Sequence, residues 1–208
     1  MNGKFITLEG GDGTGKTTQA ELLVSYLNDI GIKAIAVREP GGTELGEKIR
    51  QLLRSMTLSI SDPLVEVMLF FAARRQLLKH TIWPALEDGA WVVCDRFYDS
   101  SLVYQGVMKG CSIEHIMGIK HIVMESFEPD LTMILDLPLK DVLYRIGQRQ
   151  GDKDPWDNMP PEYHEKVRNS FRKLAGTFSF RCVAVKASGS AEAVQKRLQE
   201  VLHKHLIK

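Results

Sequence analysis

Residues Gly10-Gly11-Asp12-Gly13-Thr14-Gly15-Lys16-Thr17 match the pattern GxxxxGK[ST], and they lie between a short apolar run and a helix-periodic one. No other feature constrains the fold as tightly, because such a loop serves an anion only when a strand delivers it and a helix receives it. Glycines let successive backbone N–H groups converge on phosphate oxygens, and the following helix adds free N–H groups and its positive dipole end. Lys16 can then reach the β- and γ-phosphates of a nucleotide as a point charge, and the Thr17 hydroxyl suits a Mg²⁺ ligand position. Gly10, Gly11, Asp12, Gly13, Thr14, Gly15, Lys16, Thr17 and Thr18 are therefore the expected phosphate contacts. Asp12 places a carboxylate inside an anion cradle; it either orients a donor or a metal-bound water, or stabilises the turn.

Periodicity supplies the flanking elements. Phe5 to Leu8 reads as a buried strand, Lys16 to Ile30 as a helix ended by Gly31, and Lys33 to Val37 as the next strand. Two strands joined by a helix make a right-handed βαβ unit with a parallel sheet. The alternation continues: helices over Glu44 to Met56 and Pro63 to Leu86, a strand over Trp91 to Cys94, and helices within Ser100 to Met108 and Ser112 to Glu125. Then come a strand over Leu131 to Leu137, a helix through Ile146 and a polar stretch from Gly151 to Pro161. A helix to Ala175, a strand from Arg181 to Val185 and an amphipathic terminal helix complete the chain. Five strands alternating with helices predict a three-layer α/β/α sandwich of the P-loop NTPase type, with a five-stranded parallel sheet and ligands at the carboxyl ends of the strands. Residues 1–208 read as one domain, without repeat or linker.

Composition excludes several other classes. With 44% hydrophobic and 25% charged residues among 208, the chain is of the ordinary globular kind, and its formal net charge of +1 gives no field for nucleic acid or an anionic membrane. Cys94, Cys111 and Cys182 are odd in number and widely spaced, which argues against a disulfide framework or zinc site and fits a reducing, cytoplasmic compartment. The N-terminus lacks a signal-peptide pattern, and no eighteen apolar residues occur consecutively. The six histidines form no metal-ligand cluster by spacing and receive no role.

A second loop follows the strand Val92-Val93-Cys94, where Asp95-Arg96 brings a carboxylate toward the expected Mg²⁺ shell. Asp95 could instead cap the next segment. Arg96 is the more telling residue, because phosphoryl transfer between two anions needs positive charge between them.

With these in place, the motifs GGDGTGKTT, REPGGTELGEKIR, LFFAARRQL and DRFYDSSLVYQG occur in the order and spacing of bacterial thymidylate kinases, and the chain resembles that family over essentially its whole length. The resemblance implies ATP as phosphoryl donor, Mg²⁺ bound through Thr17 and Asp95, and dTMP as acceptor, giving dTDP. It also implies a homodimer, formed through the apolar faces of the helices between Glu44 and Leu86. By the same resemblance Phe70 would stack on thymine and Arg74 would donate to its O4; residues four apart share a helix face, so the spacing permits one pocket. Arg50 and Arg96 would hold the acceptor phosphate. Ser100, Ser101 and Gln105 would belong to the acceptor site, with Ser101 and Gln105 against the thymine. Tyr104 would pack on the deoxyribose and Glu39 would sit near the reacting phosphates or the metal. For Glu39 the alternative is an ion pair with Arg38, for Tyr104 it is core packing, and for Phe70 with Arg74 it is a core ring beside a solvated cation.

The resemblance also implies a lid over the ATP phosphates, here at about residues 145–161. Where the loop lacks an arginine after its acid, as Gly13 makes it do here, the lid supplies the charge, from Arg145, Arg149 and Lys153. The usual lid arginine is replaced by Pro155 within Asp154-Pro155-Trp156-Asp157. Arg149 is the expected substitute, since a planar guanidinium can bridge transferring oxygens.

Overall fold

The computed structural model describes residues 3–56, 62–148 and 158–207. Five strands, β1 (Phe5–Glu9), β2 (Ala34–Arg38), β3 (Trp91–Asp95), β4 (Leu131–Asp136) and β5 (Cys182–Lys186), form one parallel sheet in the order β2-β3-β1-β4-β5. β1 is buried at every position, as a central strand covered on both faces requires, whereas edge strand β2 alternates.

Successive residues of each strand enter different cores. Phe5, Val92, Cys94 and Ile134 pack into one cluster with helices α3 (Pro63–Leu77), α6 (Ile113–Met124) and α8 (Pro161–Thr177). Ile6, Leu8, Val93, Leu131, Met133 and Leu135 pack into the other with α1 (Lys16–Asp29), α7 (Leu139–Gly147) and α9 (Ala191–His205). Period-two alternation across a covered sheet therefore produces the three expected layers.

Two helical stretches depart from the expected outline. The run from Pro63 is capped by the Asp62 side chain, which accepts from the backbone N–H of Leu64, but it does not continue unbroken to Leu86. After Leu77 the chain widens into a π-helical turn, Leu78–Ile82, before α4 (Trp83–Glu87). Pro84 lies just beyond that turn; it has no N–H to donate and its ring crowds the preceding turn, which a wider winding relieves. The segment after β3 starts as α5 (Tyr98–Ser101) and passes into a second π-helical segment, Leu102–Met108. The remaining helix, α2 (Glu44–Met56), has the bounds its periodicity predicts.

The loops after β1, β2 and β3, and the ends of β4 and β5, open on the same edge of the sheet. Gly10–Gly15, Glu39 and Asp95–Arg96 meet there because β1 lies between β3 and β4.

Candidate active site

The loop after β1 is built on glycine. Gly10, Gly13 and Gly15 all have positive φ, at 134°, 76° and 94°. A Cβ at Gly10 would stand 2.7 Å from the carbonyl oxygen of Leu135, and one at Gly13 would stand 3.2 Å from Ile146 Cγ1. The absence of an arginine at position 13 thus has a local cause, since α7 packs directly against it. Lys16 folds over the loop, and its Nζ donates to the carbonyl oxygens of Gly10 at 3.0 Å and Gly11 at 2.7 Å. Burial, reinforced by the nearby Arg96 charge, brings its ammonium down to about 8.

Thr17, in the first turn of α1, donates through Oγ1 to Asp95 Oδ2 at the end of β3. These are hard oxygen donors of the kind Mg²⁺ takes when it keeps several waters and binds one or two protein groups beside phosphates. Among the described residues no cluster of three or more His, Cys, Asp or Glu side chains could hold a metal without such help.

Asp12 faces two donors of the segment after β3. Its Oδ1 accepts from Arg96 Nη2 at 2.6 Å and its Oδ2 from the Tyr104 hydroxyl at 3.2 Å. Arg96 also donates through Nη1 to Gly10 O at 3.0 Å and to Ser100 Oγ at 3.2 Å, and its guanidinium lies over the Tyr104 ring. Burial works against its charge, but Tyr104, Asp12, Asp95 and Glu9 more than offset this and raise its pKa above the ordinary arginine value. Arg96 has φ 68°, a left-handed backbone that a side-chain-bearing residue holds only when its surroundings over-determine it. Here Arg96 N–H donates to Leu8 O and Cys94 Sγ to Arg96 O.

The cleft beyond Arg96 is lined by Asp12, Glu39, Arg50, Phe70, Arg74, Arg96, Ser100, Ser101, Tyr104 and Gln105, so every residue expected at the acceptor site shares one cavity. At two positions the structural alternative does not hold. Glu39 does not pair with Arg38, which instead reaches Glu47 at 3.1 Å; Glu39 Oε2 accepts from Arg74 Nε at 2.7 Å and forms an ion pair with Arg74 Nη2 at 2.7 Å. Arg74 is not solvated either, being 1% exposed and stacked on Phe71 and Phe97. Burial raises the Glu39 carboxyl to about 7 despite that partner. Arg50 is held by the Pro40 carbonyl at 2.9 Å.

Arg145 stands apart from this cleft. From the last turn of α7 it reaches the carbonyls of Gly13, Thr14, Ala187 and Gly189, tying the phosphate loop to the turn after β5. It lines a separate cavity with Gly13, Thr14, Gly15, Thr18 and Gln19. Arg149, Lys153 and the Asp154–Asp157 run lie outside the described residues.

Two positions of the site escape sequence reasoning. Glu9, wholly buried at the end of β1, accepts from the backbone N–H groups of Phe97 and Ser100 and from Ser100 Oγ, so it anchors the segment after Arg96 to the phosphate loop. Burial, with Asp99 adding to it, raises this carboxyl to about 7. Glu66 lines the cleft four residues before Phe70. An acid ending an apolar strand, and an acid at i, i+4, i+8 spacing with Phe70 and Arg74, were the available signals.

Residues 8–198 match the family model described as thymidylate kinase. The chain belongs to the thymidylate kinase family. It is 41% identical over 202 residues to the thymidylate kinase of Caldicellulosiruptor saccharolyticus, covering 97% of each chain. It is 43% identical over 204 residues to that of a Marinomonas species, covering 98% of this chain and 96% of the relative. Among solved structures, the thymidylate kinase of Ehrlichia chaffeensis superposes with a TM-score of 0.78 at 32% identity, over 97% of this chain and 100% of that one. Family membership makes the chain a kinase on a P-loop α/β fold, and the sheet order described above is that fold's framework.

Proposed function

We propose that the chain transfers the γ-phosphoryl group of MgATP to dTMP, giving dTDP and ADP for dTTP synthesis. The observation that carries this reading is Arg96, which touches the phosphate loop through Asp12 and Gly10 while lining the acceptor cleft with Phe70 and Arg74. A cation so placed lies between two phosphorylated substrates.

In this reading the backbone N–H groups of Gly11 to Thr18 and the Lys16 ammonium hold the donor phosphates, and Arg145 secures the nucleotide side of the loop. Thr17 and Asp95 would hold Mg²⁺, which supplies charge neutralisation at the phosphate oxygens. Arg50 and Arg96 bind the acceptor phosphate, one of whose oxygens attacks the γ-phosphorus in line as the bond to ADP breaks. That oxygen is already largely anionic at neutral pH, so alignment and charge do the work and no strong base is required. Asp12 orients Arg96 and Tyr104, Glu39 holds Arg74 in place, and Phe70, Ser101 and Gln105 receive the thymine. Arg149 and Lys153 complete the charge from a lid at about residues 145–161, within a single domain spanning residues 1–208.

The exposed apolar side chains Leu45 and Leu52 on α2 and Val65 and Met68 on α3 support a homodimer through these helices. Light scattering on the purified protein tests it. No helix among the described residues is long and apolar enough to cross a membrane. The free, buried cysteines and the near-neutral charge favour a cytoplasmic enzyme with no nucleic-acid partner.

Turnover with dTMP is to be compared with that on uridine, cytidine, guanosine and adenosine monophosphates. Preference for dTMP is the expected result; faster turnover of any of the others overturns the acceptor assignment.

A further inference from the structure

One wall of the acceptor cleft carries Glu66, Phe70 and Arg74, successive side chains at four-residue spacing on α3. Arg74 can only donate hydrogen bonds, since a guanidinium has no acceptor. Gln105, which also lines the cleft, could in principle present either its amide nitrogen or its amide oxygen. The choice is made by Glu66. Gln105 Nε2 donates to Glu66 Oε2 at 3.2 Å, and both residues are buried, with 3% and 2% exposure. Lys109 Nζ donates to the other oxygen, Glu66 Oε1, and keeps that carboxylate from turning. A carboxylate accepts and cannot donate, so it captures the NH₂ end of the amide and leaves Oε1 for the cleft.

We propose that Glu66 is a positioning residue for acceptor choice: by fixing the amide of Gln105, it makes the cleft present one donor, Arg74, and one acceptor, Gln105 Oε1, to the edge of the base. That arrangement fits a base carrying a carbonyl beside a ring N–H, as thymine and uracil do. Cytosine carries an amino donor beside a bare ring nitrogen, and so meets like against like at both positions. A buried group left unpaired rejects the wrong ligand more strongly than a missing apolar contact does, which is why a locked amide discriminates better than a free one. The inference rests on the acceptor assignment given above.

The test compares kcat/KM for dTMP and dCMP in the wild type, E66Q, Q105A and the double variant. E66Q keeps the shape of the side chain but can donate as well as accept, so the Gln105 amide is released. The dTMP to dCMP ratio is expected to fall about tenfold in E66Q, chiefly through the acceptor KM, with the KM for ATP unchanged. In the Q105A background E66Q should change the ratio no further. An unchanged ratio in E66Q, an equal loss on both acceptors, or an E66Q effect that persists without Gln105 each overturns the inference. If E66Q fails to fold, K109M decides, because it frees the Glu66 carboxylate to turn: an unchanged ratio there overturns the inference and a lowered one, absent in the Q105A background, upholds it. A wild type that does not prefer dTMP fails the acceptor assignment instead, which separates the two outcomes.

Discussion

Thr17 Oγ1 donates to Asp95 Oδ2 at 2.5 Å, joining the first turn of α1 to the end of β3 across 78 positions of sequence. The neighbouring positions of β1 and β3 in the sheet make the contact, since the loop after one strand starts where the other stops. If this pair holds the metal, T17A and D95N are expected to lower kcat by about a hundredfold or more and to raise the Mg²⁺ concentration needed for half-maximal rate. A Mg²⁺ titration at saturating nucleotide checks it, and an unaltered profile in both variants removes the pair from the metal site.

Lys16 gives a pH dependence of definite sign. Its ammonium is brought down to about 8 by burial and by Arg96, so the charge that meets the donor phosphates is lost as pH rises through that value. Accordingly, kcat/KM for ATP should be level near neutrality and fall above about pH 8, approaching tenfold per pH unit. K16A should abolish turnover while leaving the far-ultraviolet circular dichroism spectrum intact.

Glu39 acts on stability rather than on the rate, and here too the loss comes as pH rises. Its folded carboxyl is raised from 4.5 to about 7, so between those values the folded protein binds more protons than the unfolded one, and this contribution to stability is lost as pH rises. E39Q removes the titration. Its stability relative to wild type should therefore improve on going from about pH 5 to about pH 7.5, measured by urea denaturation. R74A, which strands Glu39 in the interior, should cost about 3–5 kcal/mol at neutral pH.

Much of this was legible beforehand, and the reasons differ by element. The strands and α2 follow from period and punctuation, which are local. The π-helical turns at Leu78–Ile82 and Leu102–Met108 are not, because periodicity cannot register one residue of extra winding. Motifs point to Asp12, Arg96, Phe70 and Arg74, which line one cleft. Their orienting contacts are not so marked: Glu39, itself in a motif, reaches past its neighbour Arg38 to a residue 35 positions away, and Glu9 and Glu66 belong to no motif that announces them. Positioning contacts depend on which loops the sheet order brings together.

Behind the acceptor cleft, Arg181 at the start of β5 grips Asp99 through two hydrogen bonds of 2.7 and 2.8 Å, and both side chains are buried. Asp99 directly precedes Ser100 and Ser101. D99A should cost about 3–5 kcal/mol by taking from the guanidinium its buried carboxylate and leaving it Glu128 at 3.8 Å, while D99L/R181M, which removes both charges, should recover most of that loss in urea denaturation.

Tyr104 and Gln105 are consecutive residues of the Leu102–Met108 segment, yet one answers Asp12 in the phosphate loop and the other answers Glu66 on α3. Loss of one codon between Leu102 and Tyr104 would rotate both side chains by roughly 80–100° about the helix axis. Every ligand-contacting residue would remain encoded, and the DRF motif upstream would be untouched. A lineage could thus abandon its acceptor through the reading of a single triplet, by dephasing two halves of a pocket whose parts all survive.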